Sequence, residues 1–191
     1  MHSKLLVFFF IIVSAFSVSS TGQVAPAAEG DRANFSVGGG VDYWQGDWGG
    51  VNRFGPSAWF STEIWKGIGV NLEGHSMIVG GGTPSPSYKY WVGEGGVMYT
   101  NHHFKSFAPY VKGEMGFASL SFPHKPTSTY THDTRNTWAV GGGFEYKMWK
   151  HLWTRVDYTY DGFPDFLSQV TLQHHTLNPE GFAFGPTYHF R

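Results

Sequence analysis

Six charged residues occur at positions where alternation along an extended chain would place their side chains on one common side. Carboxylates and cations brought together in this way can form ion pairs and hydrogen bonds that fill a protein interior. Four acids beside two bases could instead line a narrow path for cations. Arg155 is the candidate centre of a network, because its planar guanidinium can bind two carboxylates at once. The six residues are Glu73, Glu94, Lys112, Glu114, Arg155 and Asp157.

Histidine and hydroxyl side chains could support hydrolysis if a histidine activates a neighbouring serine or threonine. Residues two apart on an extended strand share a face, so a His-x-Ser spacing would bring base and nucleophile together. That spacing does not occur with serine, and segments 132–134 and 174–176 have it with threonine in predicted loops. The sequence therefore predicts no catalytic site, and a lipid A-modifying enzyme is kept only as an alternative.

The ten histidines include the adjacent pairs His102-His103 and His174-His175. Neighbouring residues of an extended chain point to opposite sides, and no nearby histidine or carboxylate completes a tetrahedral ligand set. The glycine runs 38–40, 80–82 and 141–143 open no predicted helix, so they are not phosphate-binding loops. Neither a metal nor a cofactor is predicted.

Two-residue alternation of apolar and polar side chains recurs after residue 30 and predicts β-strands. In every such stretch the middle of one face is free of charge, and the charges there fall on the other face. A soluble lipocalin-like barrel would reverse this, with an apolar interior, whereas a barrel in lipid requires it. We therefore predict an all-β fold, an eight-stranded antiparallel up-and-down transmembrane β-barrel. The predicted strands are 34–44, 56–65, 68–78, 88–99, 107–120, 137–147, 152–161 and 178–190.

The predicted connections alternate between short turns and long loops, as in an up-and-down barrel with its chain ends in the periplasm. Segments 66–67, 100–106 and 147–151 would be periplasmic turns, and 45–53, 80–87, 122–135 and 162–177 outward loops. The loops carry the polar and aromatic residues expected of a surface that contacts a ligand. Candidate loop contacts are His124, Tyr130, His132, Phe163, Phe166 and His174.

Two prolines fall inside predicted strands, Pro109 and Pro186. Proline cannot donate a ladder hydrogen bond, and a closed barrel has no free edge to accommodate it. We therefore expect a bulge or a strand end near each of them.

The N-terminus is typical of a cleavable secretory signal, because Lys4 precedes nine unbroken apolar residues and a run of small ones. The apolar run is too short to cross a bilayer as a helix, which needs about 20 residues. The predicted organisation is a signal peptide at 1–23 with cleavage between 20 and 28, a short segment at 24–33, and a barrel domain at 34–191.

Composition excludes several classes of protein. The chain contains no cysteine, so it is neither a disulfide-stapled module nor a lipoprotein anchored through cysteine. A net charge of −1 provides no basic field for nucleic acid. The 26 glycines, 18% aromatic residues and only 14% charged residues contrast with the roughly 25% charged residues of soluble domains and suit a protein in lipid.

The last predicted strand, Gly181-Phe-Ala-Phe-Gly-Pro-Thr-Tyr-His-Phe-Arg191, has aromatic residues at every second position except Pro186. It resembles the C-terminal strand of bacterial outer-membrane proteins. The resemblance implies that Tyr188 and Phe190 are read by the barrel-assembly machinery. The segment Arg155-Val-Asp-Tyr-Thr-Tyr160 is similar to the penultimate strands of small OmpA/OmpX-type barrels, in which alternate basic and acidic residues point inward.

Together these features predict a non-enzymatic, porin-like outer-membrane barrel of the Gram-negative cell envelope. Its expected role is structural and surface-interacting, with a filled polar lumen and four extracellular loops. Expected partners are outer-membrane lipid, the assembly machinery and a surface ligand, and the protein is expected to be a monomer. The alternatives are a narrow channel for ions or small solutes and a lipid A-modifying enzyme.

Overall fold

The described part of the protein consists of β-strands and their short connections. Along each strand, apolar and polar side chains alternate between the two faces. The computed structural model describes residues 34–45, 52–79, 88–121, 132–167 and 174–190. The strands are β1 (Asn34–Gln45), β2 (Asn52–Trp65), β3 (Ile68–Val79), β4 (Tyr88–Thr100), β5 (Phe107–Ser121), β6 (His132–Lys147), β7 (Leu152–Leu167), β8 (His174–Leu177) and β9 (Glu180–Phe190).

Antiparallel pairing closes these strands into a ring. From β1 to β7, each strand pairs with the next along the chain. Strand β9 pairs with β7 on one side and with β1 on the other, where Val37 lies opposite Tyr188. Strand β8 pairs with the C-terminal end of β7, where Leu167 lies opposite His174. The predicted fold class, an eight-stranded antiparallel barrel, is confirmed.

The two faces of the barrel wall differ in burial as the charge pattern predicts. Apolar residues of one parity are exposed around the outside, including Leu72, Val97, Val111, Met115 and Val140. The charged residues of the other parity are buried inside, with Arg155 only 1% exposed. Apolar residues outside and charges inside are the arrangement of a barrel in lipid, because a charge that faces lipid is costly.

Three tight connections lie together at one end of the barrel, which we call the turn end (residues 66–67, 101–106 and 148–151). Lys66 and Gly67 have φ values of 44° and 86°, the left-handed pair that a two-residue hairpin requires. The Gly67 amide donates to Glu63 Oε1 at 2.7 Å, and the Gly67 carbonyl accepts from Thr100 N at 2.8 Å. These bonds tie two neighbouring turns together. The opposite end is called the loop end.

Strands β6 and β7 are longer at the loop end than the alternation predicted. Each has 16 residues, whereas a tilted strand crosses a bilayer in about 9 to 11. Strand β6 begins at His132 instead of residue 137, β7 continues to Leu167 instead of residue 161, and β2 begins at Asn52 instead of residue 56. The predicted last strand 178–190 corresponds to β9, which begins at Glu180, and β8 lies within the predicted loop 162–177. Backbone pairing continues in water, where the outward face no longer has to be apolar.

The longer strands correct part of the predicted loop surface. The alternation predicts loops at His132, Phe163, Phe166 and His174, but the structure has strands there. His124 and Tyr130 lie outside the described residues. Residues 1–33 are also outside them, so the signal peptide and the segment 24–33 stay predictions. No helix in the described ranges is long and apolar enough to span a membrane.

The two unfavourable prolines are accommodated differently. Pro109 lies opposite Phe144 of β6, beyond the last pair between β4 and β5, and its carbonyl accepts from Asn101 N at 2.8 Å. Pro186 faces Thr154 of β7, but the ladder from β9 to β1 has no pair between Gly38–Thr187 and Val41–Phe184. The pairing of β9 with β1, which we call the closing seam, therefore has a gap in its hydrogen-bond ladder next to Pro186, which has no N–H to donate. Pro109 instead lies at a strand end.

The lipid-facing assignment predicts a position-dependent cost of charge on β6. Val140 is 51% exposed and lies between the aromatic residues Trp138 and Tyr146, so Val140→Arg should destabilise the barrel by about 2 to 4 kcal/mol. The matched control is Asn136→Arg, on the same face beyond Trp138, where the cost should be about 0 to 1 kcal/mol. Urea unfolding in lipid vesicles measures both. Equal costs at the two positions would contradict the assignment.

Candidate functional site in the barrel lumen

Three strands deliver the polar side chains that meet inside the barrel. Strands β3, β5 and β7 alternate with strands that carry inward glycines, among them Gly141 and Gly143 of β6. A Cβ at Gly141 would lie 2.8 Å from Lys112 Cε, and one at Gly143 would lie 2.9 Å from the Tyr110 hydroxyl. The glycines thus leave the space through which long side chains reach across a narrow lumen.

Arg155 is the centre of the cluster that these side chains form. Its guanidinium donates to Glu73 Oε1 and, at 2.6 Å, to Asp157 Oδ2, and it reaches Asn71 Oδ1 at 3.4 Å. The guanidinium carbon lies 5.1 Å from the ring centre of Trp59 and 4.7 Å from that of Tyr110. Such ring faces attract a cation, most strongly where water is excluded. Arg155 is therefore held by charge, hydrogen bonds and stacking together.

Lys112 provides the second cation of the cluster. Its ammonium pairs with Glu73 Oε2, with Asp157 Oδ1 at 3.1 Å and with Glu114 Oε2 at 3.3 Å, and its side chain is fully buried. Glu73 is thus shared between the two cations, Lys112 and Arg155. A carboxylate that accepts from both in this way is oriented from two sides, as a buried ion pair requires.

Neutral polar residues complete the cluster. Asn71 Nδ2 donates to Glu73 Oε1 at 2.6 Å and to Glu114 Oε1 at 2.8 Å, and the Tyr110 hydroxyl donates to Asp157. Because buried polar groups are costly unless hydrogen-bonded, these contacts stabilise the arrangement. We call this cluster the lumen network; its members are Asn71, Glu73, Tyr110, Lys112, Glu114, Arg155 and Asp157.

The structure brings five of the six predicted charged residues together and leaves Glu94 apart. Glu94 accepts from Thr137 Oγ1 at 2.7 Å, and no ion pair joins it to a base among the residues that the structure describes. Glu94 lies between Glu73 of β3, a like charge, and Gly116 of β5, which has no side chain, and its hydrogen bond goes to β6. Sequence parity identified the correct face but not this separation.

Three inward-facing residues in or beside the lumen network carry no permanent charge, so the pattern of charged residues does not identify them. Asn71 and Tyr110 each lie two residues before a predicted charge, on the same inward face. His75 lies two residues after Glu73 and pairs with Asp42 of β1 at 2.5 Å between Nδ1 and Oδ2. Parity extended to every polar residue would have found all three.

An apolar layer fills the lumen between the lumen network and the loop end. Phe163 is fully buried there, and its ring lies edge-on to Tyr90 at 5.7 Å between centroids. The prediction that Phe163 contacts a surface ligand is wrong, since Phe163 points inward from β7. The layer consists of Trp44, Met77, Tyr90, Val92, Ala118, Leu120, Phe163 and Leu177.

The turn end of the lumen opens into a small vestibule of about 50 Å³. Two histidine–glutamate pairs line it: His102 Nε2 lies 2.7 Å from Glu63 Oε2, and His189 Nε2 lies 2.8 Å from Glu145 Oε2. Within the described ranges, no group of three histidine, cysteine or acidic residues is placed to hold a metal ion.

Of the remaining predicted site residues, His132, Tyr188 and Phe190 are exposed on the outer surface. His132 is exposed, and its ring is 3.0 Å from Thr134 Oγ1 and 3.3 Å from Ser119 Oγ. Phe166 and His174 lie in β7 and β8. Phe190 stacks on Phe35 of β1 at 4.7 Å, and Tyr188 lies 4.8 Å from Phe190, so both aromatics face outward at the closing seam. Their recognition by the assembly machinery stays a prediction.

The lumen network predicts a large and non-additive effect of removing its central cation. Arg155→Ala leaves Glu73 and Asp157 buried with one cation fewer, and should lower the free energy of unfolding by about 3 to 5 kcal/mol. Arg155→Lys should cost less, because it keeps the charge and loses only the fork. Urea unfolding in lipid vesicles gives each value.

A double-mutant cycle separates the network from general damage. Glu73→Gln combined with Arg155→Ala should cost less than the sum of the single changes, because the two groups share contacts. Lys150→Ala at the exposed turn end is the matched control and should change stability by less than about 0.5 kcal/mol. Strict additivity of Arg155 and Glu73 would contradict the described geometry.

Comparison with known proteins places this geometry in a family. The Outer membrane protein beta-barrel domain family matches residues 12–190. Neisserial surface protein A has 12% identity over 83% of this chain and 97% of its own, with a TM-score of 0.63.

Two further solved structures agree. Ail of Yersinia pestis, solved with the heparin analogue sucrose octasulfate, has 15% identity over 84% of this chain and 100% of its own, with a TM-score of 0.59. OprG of Pseudomonas aeruginosa has 16% identity over 84% and 97%, with a TM-score of 0.58. No curated protein matches by sequence. At these identities the structures show a shared fold, and the family match assigns the chain: it belongs to the outer membrane protein β-barrel domain family, whose place is the bacterial outer membrane.

Proposed function

We propose that this protein is a sealed outer-membrane barrel with a structural and surface-interaction role. The observation that carries the proposal is the continuous filling of the lumen. The lumen network occupies its middle, and the apolar layer covers that network on the loop side. Val92, Ala118 and Phe163 in the layer have no exposed surface, and Arg155 in the network has 1%. Such packing among the described residues supports a lumen that is closed to a continuous water path.

The alternative of a narrow channel has less support. Conduction needs binding sites that an ion can enter and leave in turn. The acids of the lumen network are instead held by Lys112 and Arg155, and their oxygens also accept from Asn71 and Tyr110. A lipid A-modifying enzyme has less support still. The hydrogen bonds of the His132 ring that join described residues all go to hydroxyl groups, so they supply no carboxylate to orient the imidazole.

The surface role is supported by the loop end of β5, β6 and β7. Beyond the outer aromatic residues Phe117 and Trp138, the outward face changes from apolar to polar while the strands stay paired. The polar outward residues are Ser119, Ser121, His132, Thr134 and Asn136. Because the strands stay paired beyond the bilayer, they hold the loops on a rigid support. A rigid support favours specific contacts between the loops and a ligand.

Electrical recording tests the sealed lumen. The refolded protein should insert into a planar bilayer without discrete conductance steps, and Glu94→Gln and Glu114→Gln should be equally silent. Heat-modifiable migration on a gel confirms that each sample is folded. Discrete steps in the unaltered protein that change on neutralising Glu94 would establish the channel and overturn the sealed barrel.

Cysteine labelling tests the orientation, since the chain has no cysteine of its own. Thr134→Cys at the loop end should react with a membrane-impermeant maleimide on intact cells. Ser106→Cys at the turn end should react only after the outer membrane is permeabilised. Both positions are exposed, so accessibility differs only through the membrane. Labelling of Ser106→Cys on intact cells, with Thr134→Cys protected, would reverse the assignment.

A further inference from the structure

Each of the three turns at the turn end carries an aromatic residue followed directly by a lysine. The pairs are Trp65-Lys66, Phe104-Lys105 and Trp149-Lys150. The aromatic side chains are 56%, 52% and 67% exposed, and all three lysines are exposed as well. Exposed aromatic residues on a barrel in lipid lie at the level of the headgroups. The repeated pairing therefore places three ammonium groups at the same membrane boundary.

The geometry of Lys66 shows how such a pair can be arranged. Its ammonium lies 5.1 Å from the ring centre of Trp65, within the range of a cation–π contact. A lysine held beside an interfacial ring keeps its aliphatic part in the apolar zone and its charge among the phosphates. The exposed aromatic rings and the lysine charges thus lie at the same depth in the membrane.

The outer surface of the turn end is positively charged. The two acids of this end, Glu63 and Glu145, belong to the inward parity and pair with His102 and His189 across the vestibule. In the described ranges of the three turns, no acidic residue accompanies the lysines. The outward aromatics Trp91 and Trp138 nearer the loop end are followed by Val92 and Ala139 instead of lysine. At the loop end the same pairing occurs in Tyr88-Lys89, whereas at the turn end it occurs at all three turns.

We propose that these three aromatic–lysine pairs form a binding rim for anionic phospholipids of the periplasmic leaflet. Lysine near an anionic membrane surface is attracted by its potential, and the attraction fades beyond a Debye length. The lipid, and not a soluble anion, is the ligand because each lysine follows an exposed ring of the kind that lies at the headgroup level of a bilayer. The inference rests on the membrane orientation and is independent of whether the lumen is sealed.

Fluorescence quenching tests the rim directly. Replacing Trp48, Trp91 and Trp138 by Phe leaves Trp65 and Trp149 at the rim and three inward-facing tryptophans. The full chain is refolded in phosphatidylcholine vesicles containing a small, equal fraction of brominated phosphatidylglycerol or brominated phosphatidylcholine. Enrichment of the anionic lipid at the rim should make phosphatidylglycerol the stronger quencher, by a factor of about three or more.

Matched variants identify the lysines as the cause. Lys66→Gln, Lys105→Gln and Lys150→Gln together should bring the quenching ratio to about one, as should 0.5 M salt on the unaltered lysines, which needs no variant. Lys89→Gln near the loop end should leave the ratio unchanged. Heat-modifiable migration establishes folding in each case, so loss of the barrel is distinguished from loss of lipid preference.

Two outcomes overturn the proposal. One is a ratio of one with all lysines present, and the other is a raised ratio that survives the triple substitution. Salt-sensitive binding of the protein to purified peptidoglycan, with a quenching ratio of one, would assign the lysines to that polymer instead.

Discussion

Lipid offers no hydrogen-bonding partner to a peptide group. The closed arrangement of the strands in this protein follows from that constraint. A strand in the bilayer must be paired on both sides, so an open sheet is excluded and the ring must close. The closing pairs are those of β9 with β1 and β7. Even the ladder gap opposite Pro186 occurs where the two backbones are crowded: a Cβ at Gly185 would lie 2.6 Å from the Cα of Gly40.

Closure with eight strands then determines the interior. A barrel of this size is only wide enough for side chains to fill. Glycine on one strand and a long charged residue on the next satisfy that limit, as Gly141 does beside Lys112. The lumen network therefore depends on the space that the glycines leave as much as on the pairing of its charges. Replacing its glycines would disturb it as directly as replacing its charges.

Much of this architecture could be predicted from the sequence, because lipid outside and polar groups inside impose a strict period of two. That period located eight strands and assigned the faces of Arg155 and Glu73 correctly. It could not locate the strand ends in water, where pairing continues without an apolar face, and Phe163 was misplaced for that reason. Contacts such as Arg155 with Asn71 join residues 84 positions apart, and parity does not specify which inward residues meet.

The lumen network has a consequence for how the barrel can be built. Its charges come from β3, β5 and β7, and its aromatic walls from β2 and β5. Strands that entered the bilayer one at a time would carry Glu73 of β3 into hydrocarbon apart from both of its cations, Lys112 of β5 and Arg155 of β7. The strands must therefore curl toward one another before or while they cross, so that opposite charges meet early. Glu73 lies on β3 and Arg155 on β7, so the network is complete only when both strands have joined the sheet.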